Sequence, residues 1–463
     1  VTKQLRINAF DMNCPGHLSP GLWRHPRDRS GSYNDLAYWT DLARILERGK
    51  IDALFIADVL GLYDVYGGTP DAAIHHATQV PLNDPAVLVP AMAAVTKHLG
   101  FAVTGTLSFE PPYPFARRAS TLDHLSKGRF GWNIVTGYLD SAAKGAGLAQ
   151  QTGHDLRYEI AEDYMSVVYK LWEGSWEDDA VARDRETGLF AHPDKVHRVR
   201  FEGAHHSVDA VHLSEPSPQR TPFLFQAGTS AKGRDFAARH AEGVFLAGPS
   251  RKVVAPRVAD IRERARNYGR NPDDILIFLG VCIVVDRTEA GAREKEREYR
   301  RYASTEGALA LLSGWSGIDF SKYDLDDPIR YVKNDAIHSM VEGLTIADPS
   351  KTWTVRELAN ASAIGGPGQL LVGSAEQVAD ELQSLARDTG VDGFNVSYAV
   401  TPESFIDLVD LVIPELQRRG AFKREYRDGT LREKLSADGR GRLPERHPGA
   451  AHRWKAREVL PAK

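Results

Sequence analysis

An eightfold β/α barrel is the fold class this sequence predicts. Short apolar runs alternate with amphipathic helical stretches along most of the chain, and eight such strand–helix units can be counted. Parallel neighbours need a crossover, and nearly every apolar run is followed by a helical one. The run Phe130-Gly131-Trp132-Asn133-Ile134-Val135 then rises into a polar turn, Thr136-Gly137-Tyr138, as a buried parallel strand does where it opens into a ligand site.

The first strand is expected at 5–10, followed by an amphipathic helix at 34–48 with Asn34 or Ser32 as its cap. A second strand, 53–58, ends on Asp58. The helix at 85–98 has Asp84 as cap and Pro85 in its first turn. A third strand at 101–107 leads to a helix at 114–125, and a fourth at 129–135 to a helix at 158–172. The fifth, 223–227, runs through Gly228-Thr229-Ser230 into a helix at 231–240. The sixth, at 243–247, precedes a helix at 252–268, and the seventh, at 275–285, a helix at 289–302. A helix at 375–387, the eighth strand at 393–398 and a helix at 404–418 complete the cycle.

Two insertions interrupt it. Residues 176–221 are charged and punctuated by His-Pro and Gly-Glu. Residues 304–368 carry Trp, Phe, Leu and Ile around Gly314-Trp315-Ser316-Gly317, and are expected to form an ordered lid. The reading is one barrel domain over 1–420. An Arg/Glu-rich tail at 421–463 is expected to be solvated or to act as an oligomerisation arm.

Composition excludes several classes. Of 463 residues, 42% are hydrophobic and 26% charged, which is ordinary for a globular chain. Lys and Arg total 58 against 62 Asp and Glu, so the net charge of −4 gives no pull toward nucleic acid or an acidic membrane. No apolar run approaches the roughly 18 residues of a membrane span, and the first residues carry no signal core. Cys14 and Cys282 lie far apart, without a disulfide framework or zinc spacing, so a reducing cytoplasm is expected. The pairs His75-His76 and His205-His206 lack the spacing of a metal site, and no metal is expected. Gly145-Ala146-Gly147 follows no strand, so dinucleotide binding is poorly supported; any nicotinamide chemistry would sit on another protein.

Active sites of such barrels lie at the C-terminal ends of the strands. That rule selects 10–14, Asp58, 104–106, 133–138, 228–230 and 395–398. Gly228-Thr229-Ser230 opens a helix, where free N–H groups favour a phosphate; taken alone, the same residues read first as a plain N-cap. Asp58 could face a ligand or anchor a loop, and Tyr158 could bind a phosphate or pack at a helix start. Cys14 and His17 could form a nucleophilic pair, or line a pocket beside Tyr63.

These residues converge on a family. The chain resembles the bacterial-luciferase-like, flavin-dependent monooxygenases, in the branch of the nitrilotriacetate, dibenzothiophene-sulfone, alkane and dimethyl sulfide enzymes. The likeness runs from about Ile7 to Leu431. It includes Asn8-Ala9-Phe10-Asp11-Met12-Asn13-Cys14, Tyr63-Asp64-Val65-Tyr66, Ala119-Ser120-Thr121-Leu122-Asp123-His124 and Gln226-Ala227-Gly228. The resemblance implies reduced FMN (FMNH2) in the barrel mouth, supplied by a separate NAD(P)H:flavin reductase, with O2 as co-substrate. It implies that Asp58, Thr104, Asn133, Gly137, His154 and Tyr158 contact the flavin, and that Gly228 and Ser230 take its phosphate. Cys14, His17, Tyr63 and Tyr138 would line the reacting side, with His17 moving a proton and Tyr63 assisting. Alkane-oxidising members carry His where this chain has Tyr138 and Leu311, which points to a small organosulfur or other apolar substrate. A deazaflavin-dependent dehydrogenase is the alternative from another class. A homodimer or homotetramer is expected from the family.

Overall fold

The computed structural model describes residues 4–228, 230–329 and 352–454. Thirteen strands are formed among them. Eight close a parallel barrel: β1 (Arg6–Met12), β2 (Ala53–Ala57), β3 (Gly100–Thr106), β4 (Phe130–Val135), β9 (Phe223–Gln226), β10 (Gly243–Leu246), β11 (Leu276–Asp286) and β13 (Gly393–Ser397). The ring shuts where β13 pairs with β1, Asn8 standing opposite Asn395. All eight lie within a residue or two of the expected positions.

Strand alternation divides the side chains. Ile7, Ala9, Leu54, Ile56 and Val103 face the surrounding helices and join the larger apolar core. Phe10, Phe55, Phe225, Phe245 and Phe278 face the lumen. Their rings meet edge-on or tilted, with centroids 4.9–6.0 Å apart. The lumen is therefore filled by aromatic rings, and a ligand would sit outside it.

The crossover helices bear out most of the periodicity. Helix α1 (Leu36–Arg48) buries Trp39, Leu42, Ala43 and Leu46 on one stripe. Its cap is Asp35, which accepts from the Ala37 N–H at 2.9 Å, rather than Asn34 or Ser32. Asp84 caps Pro85–Leu88 as expected, but that turn is 3₁₀. The α-helix proper, Val89–Ala94, stops four residues short of the expected end. Pro90 lacks the N–H that would continue the earlier turn, so the helix restarts there and stays short.

Two further departures concern strands. Residues 181–210 fold into two hairpins, Val181–Asp184 with Leu189–Ala191 and Val199–Glu202 with Ser207–Ala210. Strand β11 is eleven residues long; its last six pair with β12 (Gln369–Ser374), and only residues 283–286 extend past its barrel pairing with β13.

The tail needs the largest correction. Residues 421–454 are not a solvated extension; they close the barrel's lower end. Leu431 fills a notch that exists because Gly100 and Gly131 lack a Cβ. Arg432 is fully buried. It donates to both Glu242 oxygens at 2.7 and 2.9 Å, and to the carbonyls of Gln219, Thr221 and Pro222. Charge density made this segment look solvated, whereas paired charge and donated N–H groups let it be buried. Arg432→Met should cost about 3–5 kcal/mol, because Glu242 and three carbonyls lose their partner. Urea unfolding at pH 7 measures it, and a midpoint equal to the parent's would refute the plug.

Candidate active site

At the C-terminal rim, a cleft of about 220 Å³ opens over β2, β3, β4 and β9. Helices α6 (His154–Gly174) and α7 (Ala231–His240) begin there. Eight of the expected residues line it: Asp58, Thr104, Gly137, Tyr138, His154, Tyr158, Gly228 and Ser230. They come from five separate stretches of sequence, and only barrel closure joins them.

One end of the cleft is built for an anion. His154 Nε2 and Ser230 Oγ are 3.1 Å apart, so the first turns of α6 and α7 converge. Ser230 also caps α7, accepting from the Gly233 N–H at 3.0 Å; the cap and ligand readings thus share one hydroxyl. Gly228 is required by close packing: a Cβ there would stand 2.6 Å from the Tyr158 hydroxyl and overlap the Gln226 amide. Burial pushes the Tyr158 hydroxyl above the usual phenol range, so it stays a neutral donor. Arg157, 3% exposed, also lines this end, with Nη1 donating to the Thr152 carbonyl at 2.6 Å. Sequence reasoning passed over Arg157, because a single Arg in a helix signals nothing until the fold buries it. Thr229 lies outside the described residues.

The other end is apolar with a few fixed polar groups. Gly137 takes φ +67°, which only glycine adopts without strain, and it turns the chain after β4. Asn133 lies beneath the cleft and donates to Thr104 Oγ1 at 2.8 Å. Among the described residues nothing donates to Asn133 Oδ1 or to Gln226 Oε1, both buried. In the sequence Gln226 stands only within the Gln226-Ala227-Gly228 motif and carries no role of its own, since an amide ending an apolar strand resembles any loop boundary. Burial, reinforced by Asp84, pushes the Asp58 carboxyl up to about 7.

Cys14, His17 and Tyr63 do not border this cleft. Tyr63 lies behind it, bonded to Tyr138 at 2.9 Å through the two hydroxyls. Cys14 is buried and its thiol is held well above the ordinary range by burial and by Asp11, so a thiolate nucleophile is not available. His17 packs edge-on to Phe10 at 4.7 Å and burial lowers it to about 3. It is a neutral imidazole across the physiological range, which removes it as a cationic proton donor.

Of the expected lid, 330–351 lie outside the described residues. Helix α10 (Thr305–Ser316) is a fixed wall, buried throughout all but its first turn. It is stapled to the segment after β2: Ser304 Oγ meets His76 Nδ1 at 3.0 Å, and Asp319 accepts from the Gly67 N–H at 2.9 Å. A Cβ on Gly314 would overlap the Tyr63 ring, so α10 sits this low only because residue 314 is glycine. Among the described residues, no helix is long and apolar enough to cross a membrane.

The Asp58 pH dependence has a defined sign. A carboxyl whose folded pKa is raised favours the fold below its unfolded pKa near 3.8, and that contribution is lost as pH rises through about 7. Asp58→Asn should therefore raise the thermal midpoint more at pH 8 than at pH 4.5. Equal shifts at both would show that Asp58 is solvated.

Comparison with known proteins agrees with this geometry. The chain is 49% identical over 453 residues to the dimethyl-sulfide monooxygenase of Hyphomicrobium sulfonivorans, covering 98% of this chain and 94% of the relative. It is 48% identical to the long-chain alkane monooxygenase of Geobacillus thermodenitrificans, covering 98% and 99%. A crystal structure of a long-chain alkane monooxygenase superposes with a TM-score of 0.90 over 98% of this chain and all of that one. A riboflavin lyase solved with modified FMN and riboflavin, 37% identical, gives 0.91 over 98% and 100%. The luciferase-like monooxygenase family matches residues 14–393, and the chain belongs to that family, as a flavin-dependent monooxygenase.

Proposed function

We propose that this enzyme is the oxygenase half of a two-component system. It takes reduced FMN from a separate NAD(P)H:flavin reductase in the cytoplasm and inserts one oxygen atom of O2 into a small apolar or organosulfur substrate resembling dimethyl sulfide. The observation that carries it is the cleft itself: an anion-holding end where two helices converge, continuous with a mostly apolar end. The residues fit FMN. Ser230, His154, Tyr158, Gly228 and Arg157 would hold the phosphate; Asn133, Thr104, Gln226 and Asp58 would meet the polar edges of the ring system, and Gly137 leaves room beside it. Bound reduced FMN supplies the electrons that activate O2.

The chain's own contribution is positioning and exclusion of water. Phe10, Phe55 and Phe245 seal the floor, and α10 walls the side. Neutral His17 keeps fixed charge away from the reacting end, and Asp58, whose carboxyl burial pushes up to about 7, would take or return a proton at its carboxylate. The identities near one half to both a sulfide and an alkane enzyme support an apolar substrate, and Leu311 on α10 keeps that side free of a titrating group. We further propose that α10 and the segment following it cover the mouth, and that the enzyme works as a homodimer or homotetramer.

Photoreduced FMN and labelled O2, offered with a panel of sulfides, sulfones and alkanes, should give oxygen-18 in the oxygenated product of a sulfide or short alkyl substrate. Anaerobic turnover with a deazaflavin and no label incorporation would overturn the reading. Gly314→Ala should lift α10 from Tyr63, lower product yield several-fold and raise hydrogen peroxide released per reduced FMN. Unchanged coupling would mean that this wall does not exclude water.

A further inference from the structure

Behind the cleft, four side chains share hydrogen bonds whose direction the structure determines. The His17 carbonyl can only accept, and Gln79 Nε2 lies 3.3 Å from it. That fixes the Gln79 amide, so its oxygen faces Tyr63, 2.8 Å from the phenol. An amide oxygen can only accept, so the single Tyr63 proton goes to Gln79. The Trp315 indole can only donate, and its Nε1 lies 3.2 Å from the Tyr63 oxygen. The remaining partner of that oxygen is the Tyr138 hydroxyl at 2.9 Å, a contact whose distance leaves the donor open. With its own proton spent, Tyr63 must accept, so Tyr138 donates.

We infer that Gln79 is a positioning residue that commits both phenol protons away from the cleft, so that Tyr138 offers a bound ligand only a lone pair. Resting on the flavin reading above, this makes Tyr138 select for a ligand form that presents an N–H to it. Reduced isoalloxazine carries more N–H groups than oxidised isoalloxazine, so the chain discriminates between redox states of FMN by hydrogen-bond polarity. The arrangement is buried on every side: Tyr63 is 2% exposed, Gln79 6% and Trp315 8%. Water has little access to reverse it. The raised Tyr138 hydroxyl agrees, since burial and donation to Tyr63 both hold its proton. Tyr63, saturated by two donors and one acceptor, is unavailable as the assisting acid expected from sequence.

The test is equilibrium binding of FMN, oxidised in air and photoreduced under argon, to the parent, Gln79→Leu and Trp315→Phe. Gln79→Leu deprives the Tyr63 proton of its acceptor, so it turns to Tyr138 and the Tyr138 proton turns to the cleft. The preference for reduced over oxidised FMN should fall by about tenfold, the worth of one hydrogen bond. Gln79→Glu keeps the acceptor and should restore most of the preference. Trp315→Phe keeps the Gln79 acceptor, so Tyr63 must still accept from Tyr138 and the ratio should stay close to the parent's. A merely structural role would weaken both redox forms equally and leave their ratio alone. A ratio within twofold of the parent's in Gln79→Leu, folded by its thermal midpoint, or a loss in Trp315→Phe as large as in Gln79→Leu, overturns this inference only. Failure of the parent to bind FMN in either state overturns the flavin reading and this inference with it.

Discussion

The solid lumen governs everything else in this molecule. Eight parallel strands must tilt and close, and their inward side chains then have to fill the ring. Here phenylalanines do so from β1, β2, β9, β10 and β11, with ring contacts across strands distant in sequence. Because nothing can enter the ring, chemistry is displaced to the rim where all eight strands end. Because the strands are parallel, that rim collects the C-terminal residue of each.

The rim is chemically divided by how each polar group is compensated. Where α6 and α7 begin, the two helix N-termini, Ser230 and buried Arg157 make an environment that a phosphate would neutralise. A few residues away, burial keeps His17 neutral and holds the Asp58 carboxyl near neutrality. Charge is thus concentrated at one end and suppressed at the other, as an oxygen-activating site needs if water is to be kept out. The phenol pair belongs to the suppressed end, with its protons directed inward by groups that can bond in only one sense.

The insertions and the tail complete the barrel rather than decorate it. Helix α10 supplies a wall whose height is set by a missing Cβ at Gly314. The tail supplies Leu431 and Arg432, which close the opposite end by filling glycine notches and neutralising Glu242. From sequence the first reads as an ordered lid and the second as solvated chain or an oligomerisation arm, because their partners are contributed by residues hundreds of positions away.

The sequence by itself determined the strand–helix alternation, the eight strand positions, the cap at Asp84 and the residues such as Gly137, Gly228 and Ser230 that end strands or open helices. These follow from local preferences: period, apolar run length, and turn residues that act within a few positions of themselves. Tertiary structure decided which of those residues meet. It set Cys14 and His17 back from the cleft, drew Arg157 and Gln226 into it, joined Tyr63 to Tyr138, and turned an arginine-rich tail into a buried plug. Burial and hydrogen-bond direction depend on partners remote in sequence, and no window along the chain contains both members of such a pair.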